Sequence, residues 1–325
     1  MKRTVTLLAA CTAAAGLVLT SCSGSSEAAE EEDYSASGTI RVVVSMAAGG
    51  GSDRATRAMS EAMNEGAEGY NTVVENREGG GGAVGWSYIH SLAGEPQHLV
   101  KAEAAIHTLP LQDGVDVDWT YEDFTPIGMF AEDSRMLVAA GDSEYDTCAD
   151  VIEASKTEDV FSGVSGTYGA DGMVLHHMDS AGLESSTVPY GSSGEVTTGL
   201  LGGQIDIAPA SAASVEQYIE AGEMKGLCTF GDERYSDNET LADIETAQEQ
   251  GIDGTVILWR GFLAPPDISE SARDFWVEEM KRAVETDTYA EYIENDLLVE
   301  KHLYGEEFEE YLDDYDAEIQ EYFGD

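Results

Sequence analysis

Short apolar runs alternate with amphipathic segments along most of the 325-residue chain. Apolar runs of about four to eight residues predict strands, and apolar residues that recur every three or four positions predict helices. The predicted strands are Ile40–Val44, Thr72–Glu75, His98–Val100, Gly128–Val138, Val160–Val164, Thr187–Tyr190, Ile205–Ala208, Gly226–Phe230 and Val256–Trp259. The predicted helices are one that follows Ser52, then Ala83–Leu92, Cys148–Ser155, Met173–Ala181, Gly194–Leu201, Val215–Ala221, Ala272–Glu285 and a last one spanning Phe308 to Tyr322. Repeated strand–helix units predict an α/β fold with a largely parallel sheet and helices on both faces.

A glycine loop joins the first predicted strand to the first helix. Glycine lets the backbone approach a ligand closely, and the first turn of a helix presents unpaired N–H groups and the positive end of its dipole. The loop is therefore a candidate site for a carboxylate or phosphate, and Ser52 or Asp53 is expected to cap the helix. Its candidate ligand contacts are Ala48, Gly49, Gly50, Ser52 and Asp53. The alternative is an ordinary connecting turn.

A second joint of the same design, NREGGGGAVG, follows the next predicted strand, and Gly80 and Gly81 are its candidate contacts. Its glycines formally satisfy G-x-G-x-x-G, and Glu103 lies near the place where a dinucleotide-binding fold keeps its ribose carboxylate. We reject that interpretation because Asn76 to Glu78 separate the strand from the glycines. In the dinucleotide-binding fold the glycines follow the strand directly.

The chain is strongly acidic, with 16 basic against 64 acidic residues and a formal net charge of -48. Such a field repels nucleic acid and anionic membrane surfaces, so neither is expected as a partner. It also opposes anionic ligands. An acid that binds this protein must therefore be held by local donors.

The N-terminus has the organisation of a bacterial export signal. Lys2 and Arg3 precede an apolar segment that is too short for a membrane span and ends in Leu19-Thr20-Ser21-Cys22, which resembles a lipobox. We expect a signal peptide over 1–21, lipidation at Cys22 and an acidic flexible tether over 22–37. The alternative is an ordinary signal peptide that is cleaved without lipidation.

Few residues in the exported part suit covalent or metal chemistry. Cys148 and Cys228 form a disulfide outside the cytoplasm or remain two buried thiols, and the sequence leaves both alternatives open. The six histidines show no H-E-x-x-H or other ligand spacing, and G-x-S-x-G is absent. We therefore expect no catalytic residue, no metal and no cofactor. An exported α/β hydrolase that acts on a small anionic substrate is the alternative.

The two glycine joints, SMAAGGGSDRATR and VVENREGGGGAVG, carry a family resemblance. Together with YEDFTPIGMF, VPYGSSGEVTTGLLGGQIDI and WRGFLAPPDI further along, they resemble the successive sequence blocks of the tripartite tricarboxylate transporter substrate-binding proteins, the Bug family. The resemblance covers nearly the whole mature chain.

The resemblance implies a two-lobed α/β fold of the type II periplasmic-binding-protein kind, with the ligand cleft between the lobes. Residues 38–140 and 259–325 would form the first lobe, and residues 141–258 the second. The chain would cross near Ala139 to Asp142 and return near Leu258 to Gly261.

Two loops of the second lobe follow strands, where ligands bind in open α/β sheets. Their hydroxyl and backbone N–H groups suit a carboxylate, although capped turns are the alternative. The candidate residues are Ser165, Thr167, Tyr168, Asp171, Tyr190 and Ser192, with Asp206 in the next turn. In the first lobe the family places a further ligand loop after the third strand, so Lys101 is a candidate cation. The alternative for Lys101 is a solvated side chain paired with Glu103.

The resemblance, together with the lipobox-like sequence before Cys22, predicts a lipid-anchored, extracytoplasmic solute receptor on the outer face of the bacterial cell membrane. It would bind a small organic acid by lobe closure and deliver it to the integral membrane subunits of a tripartite tricarboxylate-type transporter. We expect a monomer that contacts the membrane only through its lipid anchor.

Overall fold

The computed structural model describes residues 33–112, 114–165, 167 and 169–323. The strands are β1 (Gly38–Val44), β2 (Tyr70–Asn76), β3 (His98–Glu103), β4 (Thr125–Ala140), β5 (Val160–Val164), β6 (Ser185–Pro189), β7 (Ile207–Ser211), β8 (Met224–Thr229), β9 (Ile257–Ala264) and β10 (Val299–Tyr304). The α-helices are α1 (Gly51–Asn64), α2 (Ala83–His90), α3 (Ala105–Thr108), α4 (Cys148–Ser155), α5 (Ala170–Ser180), α6 (Ser193–Leu201), α7 (Ala212–Glu220), α8 (Glu270–Ala283), α9 (Asp287–Asn295) and α10 (Glu306–Phe323). Short 3-10 turns occupy Gly80–Gly82, Leu109–Leu111 and Tyr121–Asp123.

The sheet has two halves that share the long strand β4. The first half has the order β2-β1-β3-β9-β4 with β10 also on β4, and the second has the order β4-β7-β5-β6 with β8 also on β4. β4 pairs with β9 up to Ser134 and with β7 from Arg135 onward. The partner strands therefore change between Ser134 and Arg135, a few residues before the crossing that the resemblance placed near Ala139 to Asp142.

The prediction of a largely parallel sheet is wrong for the centre of the molecule. The outer pairs β1–β2, β1–β3, β5–β6 and β5–β7 are parallel, as expected for strand–helix units. The pairs that β4 forms with β7, β8, β9 and β10 are antiparallel, and so is β3–β9. β4 and β9 carry the chain between the two halves as adjacent antiparallel strands, a topology that local periodicity does not reveal.

Helices cover both halves with apolar faces. The aromatic stripe predicted for the last helix is a packing face, because Phe308, Leu312, Tyr315 and Ile319 of α10 are all buried. Phe308 lies edge-to-face against Trp259 of β9, with ring centroids 5.5 Å apart. Burial of each large apolar side chain contributes about 1.5–3 kcal/mol to stability.

One glycine of the second joint has a packing role. A Cβ at Gly85 would lie 2.7 Å from Ser45 Cα, so α2 approaches the end of β1 more closely than any side chain allows. This contact accounts for the third glycine of the formal G-x-G-x-x-G match without a dinucleotide.

The structure joins Cys148 and Cys228 through a disulfide, one of the two alternatives that the sequence left open. Cys148 is the first residue of α4 and Cys228 lies in β8, and both are fully buried. Their Cα atoms are 5.7 Å apart. The bond ties α4 to the second half of the sheet.

The predicted lipidation site Cys22 and most of the tether lie outside the described residues. The end of the predicted tether is packed rather than flexible: Ala36 is buried, and the Tyr34 ring centroid lies 5.4 Å from that of Phe275.

α9 and β10 were not predicted. Within the described part of the chain, no helix is long and apolar enough to span a membrane.

Candidate ligand-binding cleft

The loop between β1 and α1 is held by a carboxylate of the chain itself. α1 begins at Gly51 without a side-chain cap, so the prediction that Ser52 or Asp53 caps it is wrong. Instead, Asp53 Oδ2 accepts hydrogen bonds from the Gly49 N–H at 2.8 Å and from Arg57 Nε at 3.0 Å. The hydrogen bond from Arg57 is the main reason that the pKa of Asp53 falls to about 2. The Gly49 N–H is therefore already occupied, while Ala48, Gly49 and Gly50 are exposed to solvent.

A buried ion pair lies behind this loop. Ser52 Oγ donates to Glu103 Oε2 at 2.8 Å, and Lys101 Nζ pairs with the same carboxylate. Lys101 is therefore paired with Glu103, as the alternative interpretation of the sequence proposed. Its side chain is buried rather than solvated, because Lys101 is 1% exposed. Burial lowers the pKa of Lys101, and the Glu103 carboxylate offsets part of that shift. Burial also raises the pKa of Glu103, but Lys101 and Ser52 outweigh it and leave that pKa lowered.

Arg260 lies next to this pair because β3 and β9 place it opposite Glu103. Its Nη2 donates to Asp133 Oδ2 at 2.6 Å, and its Nη1 donates to the Tyr292 hydroxyl at 2.6 Å. Burial lowers the pKa of Arg260, but these two partners raise it overall. A Cβ at Gly51 would lie 3.6 Å from Nη2, so the guanidinium borders the first turn of α1.

A second cluster lies at the carboxyl end of β5. Asp171, in the first turn of α5, is buried, and its Oδ2 accepts from the Ser165 N–H at 2.8 Å and the Ser165 Oγ at 2.7 Å. Ser193 Oγ donates to Ser165 Oγ at 3.4 Å. As at the first loop, a carboxylate of the chain itself, here that of Asp171, accepts the hydrogen bonds that the sequence predicted Ser165 would donate to a ligand.

A pocket of about 60 Å³ that is partly open to solvent adjoins this cluster, and Arg135, Asp171, Ser193, Ser211 and Ser214 are among the residues that line it. Arg135 Nη2 lies 3.7 Å from Asp171 Oδ1. Arg135 Nε is buried and donates to no acceptor within the described residues.

The two clusters meet on β4. Asp133 and Arg135 are two residues apart on this strand, so their side chains leave the same face of the sheet. Asp133 holds Arg260 beside the glycine loop, and Arg135 faces Asp171. Neighbouring positions on one face of β4 therefore link the two clusters.

Arg135 and Arg260 were not among the site residues predicted from the sequence. A signal was present, because Arg260 interrupts the apolar segment LWRGFLA and Arg135 directly precedes the apolar run MLVAA. Charged residues are rarely buried in strands without a partner.

The other predicted residues have separate environments. Gly80 and Gly81 are exposed, with φ of 58° and 66°. Ser192 Oγ accepts from the Glu195 N–H at 3.3 Å and caps α6, as its alternative proposed. The Tyr190 ring is half-buried and packs over Gly199 of α6.

Two further predicted residues lie away from the clusters or outside the description. Asp206 accepts from the Phe161 N–H at 2.8 Å near the amino end of β5, the opposite edge from Ser165, so the structure does not bring it to the cleft. Thr167 is exposed, and Tyr168 lies outside the described residues. No group of three or more His, Cys, Asp or Glu side chains that could hold a metal occurs within the described ranges.

Comparison with known proteins identifies the family to which this chain belongs. Residues 55–306 match the family model described as the tripartite tricarboxylate transporter family receptor, TctC. A relative from Agrobacterium vitis, the UPF0065 protein in the TAR-I ttuE-ttuC' intergenic region, is 27% identical over 254 residues, covering 76% of this chain and 72% of the relative.

Two solved structures have the same fold. A TctC solute-binding protein from Polaromonas superposes with a TM-score of 0.75 at 23% identity, covering 88% of this chain and 98% of that one. R. palustris Rpa4515 with adipate superposes with a TM-score of 0.76 at 18% identity, covering 88% and 97%. The predicted two-lobed periplasmic-binding-protein fold is thereby confirmed. The chain belongs to the tripartite tricarboxylate transporter family receptors, the TctC family.

Proposed function

We propose that this receptor binds a small organic acid in the cleft over β4 and delivers it to the integral membrane subunits of a tripartite tricarboxylate-type transporter. The observation that carries the proposal is the pocket beside the Ser165–Asp171 cluster, where Arg135 and several hydroxyl side chains offer donors next to Asp171 and the rest of the lining is apolar. Such donors suit a carboxylate. The adipate held by R. palustris Rpa4515, a protein of the same fold, supports the same ligand class.

We select the residues that would contact the ligand from the candidate groups that remain accessible and are not already paired within the chain. In the first lobe we retain the exposed backbone of Ala48, Gly49, Gly50, Gly80 and Gly81. In the second we retain Thr167 and add Arg135, and we leave out Ser165 because its N–H and Oγ both donate to Asp171. Lys101, Ser52 and Asp53 support the loops from behind, because each is already paired within the chain.

The proposed mechanism is closure of two lobes over the ligand. We assign residues 38–140 and 259–325 to one lobe and 141–258 to the other, with β4 and β9 as the strands that connect them. Closure would bury the acid and create the surface that the transporter recognises. Lipidation at Cys22 would keep the receptor, a monomer, at the outer face of the cell membrane.

A thermal-shift screen with small carboxylates tests the proposal. Adipate, malate, citrate and short monocarboxylates form the panel, and the matching uncharged amides are the controls. A ligand at one hundred times its Kd stabilises the folded state by about 2.7 kcal/mol. A rise in melting temperature with an acid but not with its amide supports the proposal, whereas stabilisation by the amides alone contradicts it.

A further inference from the structure

Three cations border the cleft, and they differ in how fully they are paired. Lys101 is buried against Glu103, and Arg260 donates at 2.6 Å both to Asp133 and to Tyr292. Arg135 has a looser environment: its nearest carboxylate oxygen, Asp171 Oδ1, lies 3.7 Å from Nη2, beyond hydrogen-bond distance. Its buried Nε donates to no acceptor within the described residues.

Asp171 is held so that it does not satisfy Arg135. Its Oδ2 is fixed by two short hydrogen bonds from Ser165, at 2.8 Å and 2.7 Å, and only Oδ1 faces the guanidinium. A buried donor without an acceptor is destabilising, because it has lost its hydrogen bonds to water. A carboxylate that reaches the fork of Arg135 would remove this penalty and gain charge-assisted hydrogen bonds.

Resting on the proposed function, we infer that Arg135 is the specificity-determining residue of the cleft and binds one carboxylate of the ligand. Asp171 is its fixed counter-ion, so the Arg135–Asp171 pair is neutral before ligand arrives. The positive charge of Arg135 attracts one carboxylate of the ligand, whereas the negative charge of Asp171 repels any further carboxylate nearby. Ser193, Ser211 and Ser214 line the same pocket and bring no further positive charge to it. The preferred ligand is therefore an acid with a single carboxylate at this end, rather than a compact tricarboxylate.

The test measures calorimetric affinities of the wild-type protein and its variants for adipate, butyrate and citrate. Arg135→Gln should weaken binding of the best wild-type acid at least about tenfold, equivalent to about 1.4 kcal/mol, and reduce its salt dependence. Arg135→Lys should recover part of the loss, because lysine keeps the charge but lacks the planar fork. Arg41→Gln is the matched control, since it removes the same charge from a side chain that is 54% exposed.

Asp171→Asn provides an independent readout that does not depend on Arg135 variants folding. Asparagine keeps an acceptor for Ser165 and removes the competing negative charge, so the acid should bind at least as tightly as to wild type. Weaker binding by Asp171→Asn would overturn the inference, as would unchanged affinity in Arg135→Gln or wild-type preference for citrate. Failure of every carboxylate to bind wild type would instead reject the proposed function, and the inference with it.

Discussion

Arg135 Nη2 and Asp171 Oδ1 lie 3.7 Å apart, and this approach joins the strand shared by both halves of the sheet to α5, a helix of the second half. Arg135 is the first residue of β4 that pairs with β7. In the proposed closure, the residue that we assign to ligand recognition would therefore lie where the partner strand of β4 changes from one lobe to the other.

The two exposed glycine loops give different predictions for alanine substitution. Gly50 has φ of -76°, and an added Cβ would meet only Ala47 O at 3.5 Å, so Gly50→Ala should leave the unliganded melting temperature unchanged. If the loop contacts ligand, affinity should still fall, roughly five- to a hundredfold, because the methyl group occupies ligand space. Normal affinity in Gly50→Ala would return this loop to the status of a connecting turn.

Gly81→Ala should instead destabilise the unliganded protein. Gly81 has φ of +66°, and a Cβ there would lie 3.1 Å from Leu109 Cδ1. Left-handed backbone strain costs on the order of 1–3 kcal/mol for a residue other than glycine. Chemical denaturation beside calorimetry separates the two effects, and a Gly81→Ala protein of full stability would contradict the conformational assignment.

His107 should make stability fall as the solution becomes more acidic. It is buried beside Asp316, with Nδ1 3.0 Å from Oδ1 and Asp313 also nearby, and burial lowers its pKa below the ordinary value despite these carboxylates. The unfolded chain therefore takes up a proton more readily. The stabilising contribution is complete above the ordinary pKa of about 6.5 and is lost as the pH falls towards the folded-state value.

His107→Gln isolates this contribution from the other acidic and basic groups. The free energy of unfolding of wild type and variant is measured at pH 7.5 and 5.5. The advantage of wild type should shrink at the lower pH. An advantage that grows on acidification would contradict the assignment of a neutral, buried histidine.

Removing the disulfide should destabilise the second half of the sheet. Cys148 and Cys228 are 80 residues apart, so the bond closes a long loop in the unfolded chain. Replacing both by serine should cost roughly 2–5 kcal/mol. Chemical denaturation with and without reductant measures this loss of stability. If the disulfide is shown to be present in the wild-type protein and its reduction leaves the stability unchanged, the prediction is contradicted.

Cys22→Ser tests the proposed anchor. If Cys22 carries the lipid, the variant should leave the membrane fraction and be recovered in soluble form after export. Fractionation followed by mass determination of the mature N-terminus is the measurement. Unchanged membrane retention of the variant would reject lipidation at this position.

The outer elements of the fold could be predicted because their signals are local. β1, β5 and the helices that follow them have regular apolar periods, and the glycine loops mark their ends. β10 was missed because Val299–Tyr304 is partly exposed and contains three charged or titratable residues in sequence, Glu300, Lys301 and His302. Its strand conformation depends on pairing with β4, which is a tertiary effect.

The pairing of charges in the cleft could not be predicted for a related reason. Glu103 meets Arg260 through the register of β3 and β9, and Arg135 meets Asp171 through the packing of α5 on β4. With 64 acidic residues in the chain, sequence alone offers every cation many partners. Only the register selects one, so the sequence named Asp53 and Asp171 as ligand contacts rather than as the carboxylates that accept from the loop donors, although it did offer Glu103 as a partner for Lys101.

The central claim is that the cleft captures a small organic acid through its carboxylate. The most direct measurement is a calorimetric titration of the wild-type protein with the acid that stabilises it most and, in parallel, with the corresponding amide. The account predicts saturable one-to-one binding of the acid that weakens as salt is added, and at least tenfold weaker binding of the amide. Equal affinity for acid and amide would contradict it.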